Sequence, residues 1–311
     1  MRPIRIFFVT DLHGSELCFR KFITAVSFYN ADVAIVLGDL AGKMVVPIFD
    51  NGNGTYDCNF LAQDIHMNNK TELDAQMAKI NAIGFYPYQT DKKEADRLRQ
   101  NQDEVMDIFH RLINDRLQHW VDLADEKLKE SKSLIFIAPG NDDPLEMDTI
   151  LERSKVMKPC AMKNVDVLGY EMITIAHTSP TPWDTPREWN EEEMGKQIDR
   201  LASTIKDMER GIFNFHDPPY GTMLDYAPKL KDMRQSAGET EHVGSTAVAD
   251  KIKKYQPFLG LHGHIHESRA AQKIGRTFCV NPGSEYGEGV LRGVILTVAD
   301  TKMKSYVFTS G

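Results

Sequence analysis

Cysteine is scarce in this sequence, and the few cysteines are not clustered. The 311 residues contain four, widely separated, and no two of them form a Cys-x-x-Cys pair. This pattern gives no support to a disulfide framework and fits a reducing compartment better.

Long apolar runs and an excess of positive charge are also missing. No stretch approaches the roughly 18 apolar residues that a membrane span needs. The apolar run at residues 6–9 is too short for the core of a signal peptide, and Asp11 soon follows it, so it predicts a buried strand. A formal net charge of −8 argues against a general nucleic-acid-binding surface. We therefore expect a cytoplasmic protein without a membrane or nucleic-acid partner.

The composition is that of a globular α/β protein. Hydrophobic residues make up 41% of the chain and charged residues 26%. There is no internal repeat, no low-complexity tract and no clear interdomain linker. The simplest prediction is a single domain over residues 1–311 with an insertion at 43–131.

The insertion interrupts a regular alternation of strands and helices. Residues 44–49 and 55–60 flank an Asn- and Gly-rich stretch at 50–54, which predicts a hairpin. Helices are predicted over 61–83 and 92–129, and the aromatic linker at 85–88 is the part expected to reach a substrate. Two interpretations stay open: a lid or dimerisation element, and a peripheral helical hairpin.

The first 40 residues predict a βαβ unit. A strand over 4–10, a helix over 16–29 and a strand over 32–37 imply a parallel sheet, and ligands bind at the carboxyl ends of such strands. Polar residues follow both strands: Asp11, His13 and Asp39. Taken singly, each of them could also be a cap or turn residue.

Later strands end in the same way. Asn141 follows a predicted strand at 133–138, His216 follows one at 212–215, and His264 and His266 follow one at 258–261. Alternation along an extended backbone would place His262 on the same side as these last two. Carboxylates, imidazoles and one amide oxygen suit Mn, Fe, Zn, Co or Ni better than Ca. Seven ligands are too many for one ion and about right for two that share a carboxylate.

This ordered set of motifs resembles the calcineurin-like metallophosphoesterase superfamily. Asp-x-His, Gly-Asp, Gly-Asn, His and Gly-His-x-His occur in sequence from residue 4 to about 284, with only 43–131 outside the match. Residues 180–183, 216–225 and 281–284 are similar to the Icc-type phosphoesterases. The resemblance implies a four-layer αββα sandwich.

The resemblance also implies two divalent or trivalent metal ions and their ligands. One ion would be held by Asp11, His13 and His266, and the other by Asn141, His216 and His264. Asp39 would bridge the two. A hydroxide between the ions would attack phosphorus, and His262 would lie in the core or support the ligands.

The implied activity is hydrolysis of phosphodiesters or small phosphomonoesters, with a small phosphorylated substrate as the partner. The alternative is a catalytically weak or inactive metal-binding scaffold of the same fold. Substrate specificity is expected in the insertion and in the loops around Trp183 and Tyr220. A homo-oligomer is left open.

One motif departs from the family pattern. The family usually has a histidine after Gly-Asn, whereas this chain has Gly140-Asn141-Asp142-Asp143. Asp142 could act as a general acid, orient a neighbouring histidine, or only cap a helix. His177 is a candidate to replace the missing histidine in space.

Overall fold

Eighteen strands and seven α-helices lie within residues 2–231 and 234–311, which the computed structural model describes. The strands are, in chain order, β1 (Ile4–Thr10), β2 (Val33–Leu37), β3 (Val45–Asp50), β4 (Tyr56–Phe60), β5 (Gln63–Met67), β6 (Tyr86–Thr90), β7 (Leu134–Ala138), β8 (Met157–Pro159), β9 (Asn164–Asp166), β10 (Glu171–Ile175), β11 (Gly211–Phe215), β12 (Tyr226–Lys231), β13 (Arg234–His242), β14 (Leu259–Leu261), β15 (Ala270–Ile274), β16 (Thr277–Asn281), β17 (Arg292–Ala299) and β18 (Lys302–Ser310). The helices are α1 (Glu16–Phe28), α2 (Lys70–Ala82), α3 (Lys92–Leu98), α4 (Gln102–Lys127), α5 (Met147–Leu151), α6 (Glu191–Ala202) and α7 (Thr246–Tyr255).

The first large sheet has the strand order β18-β17-β1-β2-β7-β8. Strands β1, β2, β7 and β8 run parallel to one another, while β17 and β18 extend the sheet in antiparallel fashion. Parallel neighbours end at the same edge of a sheet. The loops after β1, β2 and β7 therefore lie side by side, as the predicted βαβ unit requires.

The second large sheet has the order β15-β16-β14-β11-β10-β9. Its central strands β10, β11, β14 and β16 are parallel, and an antiparallel strand closes each side. The loops after β10, β11 and β14 are consequently neighbours at one edge of this sheet.

Alternate side chains of β1 show how the layers stack. Ile4, Ile6 and Phe8 belong to the apolar core between the two sheets, whereas Phe7 and Val9 belong to the core shared with α1, α4 and α5. Successive strand side chains point to opposite faces, so one strand serves both cores. Helices α6 and α7 cover the outer face of the second sheet. The expected four-layer αββα sandwich is confirmed.

The residues after β2 form a smaller sheet of order β5-β4-β3-β6, covered by α2. The hairpin predicted at 50–54 is confirmed, because β3 and β4 pair antiparallel across it. The helix predicted over 61–83 is wrong at its start. Leu61 and Ala62 have φ of 52° and 59°, and this left-handed turn starts strand β5 instead.

Two further predictions about this region need correction. The linker at 85–88 is largely strand β6, parallel to β3, and Tyr86 is only 2% exposed, so that ring does not reach a substrate. The helix predicted over 92–129 is broken into α3 and α4, and α4 packs on the first large sheet.

Three differences lie elsewhere in the chain. The spacing of apolar residues in the sequence predicts a helix over residues 188–210, but α6 ends at Ala202. Strand β15 and the two-stranded ribbon β12–β13 were not expected. Among the helices described in residues 2–231 and 234–311, none combines the length and the apolar composition that a membrane span requires.

Candidate metal centre

The loops at the strand ends bring six of the predicted ligands into two groups that share one residue. In each group, one nitrogen or oxygen atom per residue lies within 4.8 Å of the corresponding atoms of the others. The first group consists of Asp11, His13, Asp39 and His266, and the second of Asp39, His216 and His264. Asp39 is therefore common to both.

The two carboxylate oxygens of Asp39 face different groups. Oδ2 lies 3.5 Å from Nε2 of His13, and Oδ1 lies 3.4 Å from Nε2 of His216. A carboxylate arranged in this way can offer one oxygen to each of two ions. The geometry fits the bridging role that the resemblance implies for Asp39.

Several buried polar atoms in these groups have no hydrogen-bond partner. They include the side-chain oxygen Oδ1 of Asn141 and both ring nitrogens of His216. Nε2 of His13 lies 3.0 Å from Nε2 of His266, a contact in which only one of the two ring nitrogens can donate and the tautomer decides which. Burying unpaired polar atoms costs free energy, and a cation between them removes that cost. The donor set fits metal binding.

Asn141 joins the site through its neighbours in the loop after β7. Its side-chain amide donates to Oγ1 of Thr185 at 3.0 Å, which leaves the amide oxygen free for a ligand. The next backbone N–H, that of Asp142, donates to Oδ1 of Asp39 at 3.1 Å. Asn141 therefore lies beside the shared carboxylate.

The backbone of this site is strained. Asp11, His13, Asp39 and His264 have φ of 55°, 41°, 45° and 66°, in the left-handed region that non-glycine residues rarely adopt. Such strain persists where the surroundings enforce it, and it concentrates at functional sites. The His264 value also corrects the sequence prediction, because β14 ends at Leu261 and the histidine triplet is not an extended strand.

Glycine is required before two of the ligands because of close approach. A Cβ at Gly38 would lie 2.0 Å from the His216 ring, and a Cβ at Gly140 would lie 2.2 Å from Oδ1 of Asp39. The Gly-Asp and Gly-Asn motifs therefore keep space for a ligand that comes from another loop.

The electrostatics show that the pocket favours positive charge. Burial lowers the pKa of His216, but the carboxylates of Asp39 and Asp11 outweigh burial and raise that pKa above its ordinary value. Burial raises the pKa of Asp39, but His216 and His13 bring it well below its ordinary value. Carboxylates that stay ionised in a buried pocket are suited to a metal cation.

Asp143 is a supporting residue that the sequence analysis did not identify. It is fully buried, and its carboxylate accepts from the backbone N–H groups of Leu40, Ala41 and Gly140 at 2.7–2.9 Å. These bonds tie the loop after β2 to the loop after β7. Its place two residues after the predicted ligand Asn141 was the available signal.

Asp142 lies at the mouth of the pocket and does not cap a helix. Helix α5 begins at Met147 with Glu146 as the N-terminal cap residue, which excludes the capping interpretation. Oδ2 of Asp142 lies 3.0 Å from Nζ of Lys43 and 3.9 Å from Nδ1 of His13. The nearer partner is therefore a lysine that the sequence analysis missed.

His177 and His262 lie outside the two groups. The His177 ring stacks on Trp189 with centroids 3.6 Å apart, and burial together with Arg187 lowers its pKa to about 4. Its catalytic role stays a prediction. His262 is fully buried, with Nδ1 3.1 Å from the backbone oxygens of Phe215 and Asp217.

The loops expected to determine specificity expose large side chains. Trp183 is 60% exposed and Tyr220 is 47% exposed. Trp183 lies in the loop that follows β10 and Tyr220 in the loop that follows β11, four residues after His216. Both loops leave the sheet edge that carries the site.

The two-sheet sandwich, with six of the predicted ligands at its strand ends, agrees with the architecture that the resemblance to the calcineurin-like metallophosphoesterase superfamily implies. No protein-family model matches the sequence. Among curated proteins, the uncharacterized protein MJ1162 of Methanocaldococcus jannaschii is 32% identical over 161 residues, which cover 50% of this chain and 68% of that protein. The chain belongs to the family of this archaeal protein.

Solved structures are similar in fold. TT1561 of Thermus thermophilus has a TM-score of 0.53 and 14% identity, covering 99% of this chain and 98% of its own. A novel phosphatase from Mycoplasma pneumoniae has a TM-score of 0.43 and 12% identity, covering 100% and 94%. At this level of identity, the likeness to TT1561 concerns the fold alone.

Proposed function

We propose that this protein is a two-metal phosphoesterase that hydrolyses phosphodiesters or small phosphomonoesters. The observation that carries the proposal is the division of the ligand set at Asp39, whose two oxygens face separate groups of buried histidines and carboxylates. Two ions that share a carboxylate are the arrangement suited to in-line displacement at phosphorus.

In this proposal, Asp11, His13 and His266 hold one ion and Asn141, His216 and His264 hold the other, with Asp39 between them. Mn, Fe, Zn, Ni and Co all suit this donor set. When bound, the ions lower the pKa of water and polarise phosphoryl oxygens.

The chain itself prepares the ligands before any ion arrives. The backbone N–H of His264 donates to both oxygens of Asp11 at 3.1–3.2 Å, and Oγ1 of Thr10 donates to the same carboxylate at 2.6 Å. These bonds orient Asp11 and attach the His264 loop of the second sheet to the first sheet. In a preorganised site of this kind, the side chains are already ordered, so little conformational entropy is lost when an ion binds.

Hydrolysis of chromogenic esters tests the proposal. The protein is stripped with a chelator, reconstituted with Mn²⁺, and assayed with bis-p-nitrophenyl phosphate and with p-nitrophenyl phosphate. We expect turnover only after metal is restored, and the ratio of the two rates separates diesterase from monoesterase.

The alternative function is a metal-binding scaffold without catalysis. Two bound ions per chain and no turnover of either ester would favour the scaffold and contradict the phosphoesterase. A protein that binds no metal would contradict both.

A further inference from the structure

The loop after β7 places a carboxylate at the mouth of an already anionic pocket. Asp142 follows the candidate ligand Asn141, and its backbone N–H is bound to Asp39. Hydrolysis of a phosphate ester builds negative charge on the phosphoryl and leaving-group oxygens, and a bare carboxylate there would repel it. A cation beside Asp142 would offset this repulsion.

The ammonium group of Lys43, in the neighbouring loop, is such a cation. Lys43 lies four residues after Asp39, and its Nζ is 3.0 Å from Oδ2 of Asp142. The two loops leave the adjacent parallel strands β2 and β7, so the sheet itself brings the pair together. The lysine side chain is 49% exposed and can therefore meet a ligand that enters from solvent.

The backbone that carries Lys43 is firmly held. The N–H groups of Leu40 and Ala41 donate to Asp143, and the N–H of Gly42 donates to Oη of Tyr86 at 2.8 Å. Three consecutive N–H groups are thus bound to buried side chains. The backbone immediately before Lys43 is therefore held in place, and the side chain of Lys43 can still change its conformation.

The positive charge of Lys43 interacts with ionisable groups of the site. Burial lowers its pKa, but the carboxylates of Asp142 and Asp39 outweigh burial and raise that pKa above its ordinary value. Burial lowers the pKa of His13, and the ammonium of Lys43 lowers it further. Lys43 therefore stays positively charged at neutral pH and lies near the ligand set.

Two nearby arginines, the buried Arg187 and the partly buried Arg116, make their contacts elsewhere. Arg187 donates to the backbone oxygens of Asp143 and Pro144 and pairs with Asp148. Arg116 donates to the backbone oxygen of Gly14 and to Asn81. Both hold loops in place.

We propose that Lys43 is a catalytic residue whose ammonium contacts the phosphoryl group, and that Asp142 is a positioning residue that holds it there. This inference rests on the proposed phosphoesterase function. In the reaction, the water oxygen bonds to phosphorus while the bond to the leaving oxygen breaks. The leaving oxygen keeps the electron pair and, through solvent, takes up the proton that the attacking water releases. Lys43 stabilises the charge and transfers no proton.

Lys43→Met is the main test, with Lys132→Met, an exposed lysine, as the matched control. We expect kcat/KM to fall about ten- to a hundredfold in Lys43→Met, as for loss of a hydrogen bond to a charged group, with metal content unchanged. Lys43→Arg should recover part of the loss. A Lys43→Met protein within twofold of the parent, or one that loses metal, would overturn the proposal.

Binding of inorganic phosphate to the metal-loaded protein gives a readout without turnover. Calorimetry should show weaker phosphate binding in Lys43→Met and unchanged binding in Lys132→Met. If the parent binds two ions but hydrolyses no ester, the proposed function fails, while this measurement still decides whether Lys43 meets phosphate. Unchanged phosphate affinity in Lys43→Met would overturn the inference.

The role of Asp142 is tested in a double variant. If Asp142 acts through Lys43, Asp142→Asn should raise KM in the parent and have no further effect in Lys43→Met. Asp142→Glu should restore most of the parent KM. Equal effects of Asp142→Asn in both backgrounds would contradict positioning.

Discussion

The deep cluster and the rim of this site are built in opposite ways. The deep cluster consists of Asp11, His13, Asp39, Asn141, His216, His264 and His266. It is mostly buried, and four of its members have left-handed backbone conformations. The rim consists of Lys43, Asp142, Trp183 and Tyr220, whose side chains are partly or largely exposed.

This difference indicates a division of labour. Side chains fixed by strained backbone and buried hydrogen bonds are suited to a reaction step that is the same for every substrate. Exposed side chains on loops can differ between relatives without disturbing the core, and they suit substrate choice. The predictions below test whether the two parts separate in experiment.

The largest effect is expected from Asp39→Asn in the deep cluster. Asp39 belongs to both groups, so this change weakens both ion sites. We expect kcat/KM for bis-p-nitrophenyl phosphate to fall on the order of 10³-fold or more. Asp64→Asn, at an exposed position in the small sheet, should change nothing. A fall of less than tenfold in Asp39→Asn would show that the carboxylate is not shared.

Two neighbouring histidines have different expected roles: His264 is a candidate metal ligand, and His262 is a structural residue. His264→Ala should lower kcat/KM about 10²- to 10³-fold through loss of metal. His262→Ala should keep most activity but reduce the free energy of unfolding by about 1–3 kcal/mol, since two buried backbone oxygens lose their partner. Activity assays and thermal unfolding measure the two effects. Equal activity loss in both would refute this assignment of ligands.

A smaller effect is expected from Gly140→Ala, which removes no ligand side chain. The new methyl group would displace Asp39, because it would lie only 2.2 Å from Oδ1 of that carboxylate. We expect metal affinity to fall about ten- to a hundredfold, as when a group supporting a ligand is lost. Gly287→Ala, where the added methyl group meets nothing within 4 Å, is the control. Unchanged metal affinity in Gly140→Ala would mean that the loop shifts to accommodate the methyl group without disturbing Asp39.

The smallest effect is expected at the rim. Trp183→Ala should raise KM for an aromatic diester about two- to twelvefold, the range for loss of one aromatic contact, with kcat nearly unchanged. KM for an aliphatic phosphate ester should not move. A large fall in kcat with both substrates would place Trp183 in the catalytic machinery and break the division between the two parts.

The deep cluster could be predicted because its signals are local. Asp11, Asp39, Asn141 and His216 each come within three residues of a strand end, and parallel strands bring their ends together whatever the details of packing. The sequence could not show the left-handed backbone at Asp11 and His264, because Asp and His adopt that conformation in only a small minority of their occurrences.

The small sheet was partly missed for a similar reason. Leu61 and Ala62 form the turn into β5 with positive φ, whereas Asn and Gly are the residues that usually mark such turns. Without that signal, the residues from 61 to 67 were joined to the following helix. The pairing of β6 with β3 is parallel and spans about 40 residues, so no local pattern predicts it.

The rim pair Lys43 and Asp142 is separated by 99 positions in the sequence. The sequence marks Asp142 as unusual, but the expected replacement for the missing histidine was another histidine, His177. The order of strands supplied the missing information, because the loops after β2 and β7 are neighbours. A search for a cation in the adjacent loop would have found Lys43.

Metal stoichiometry tests most directly whether Asp39 divides the deep cluster into two ion sites. Elemental analysis of the metal-saturated and desalted protein should give two ions per chain. His266→Ala and His216→Ala should each retain one. A parent protein that saturates at one ion per chain, or single variants that keep both ions, would contradict the two-site arrangement.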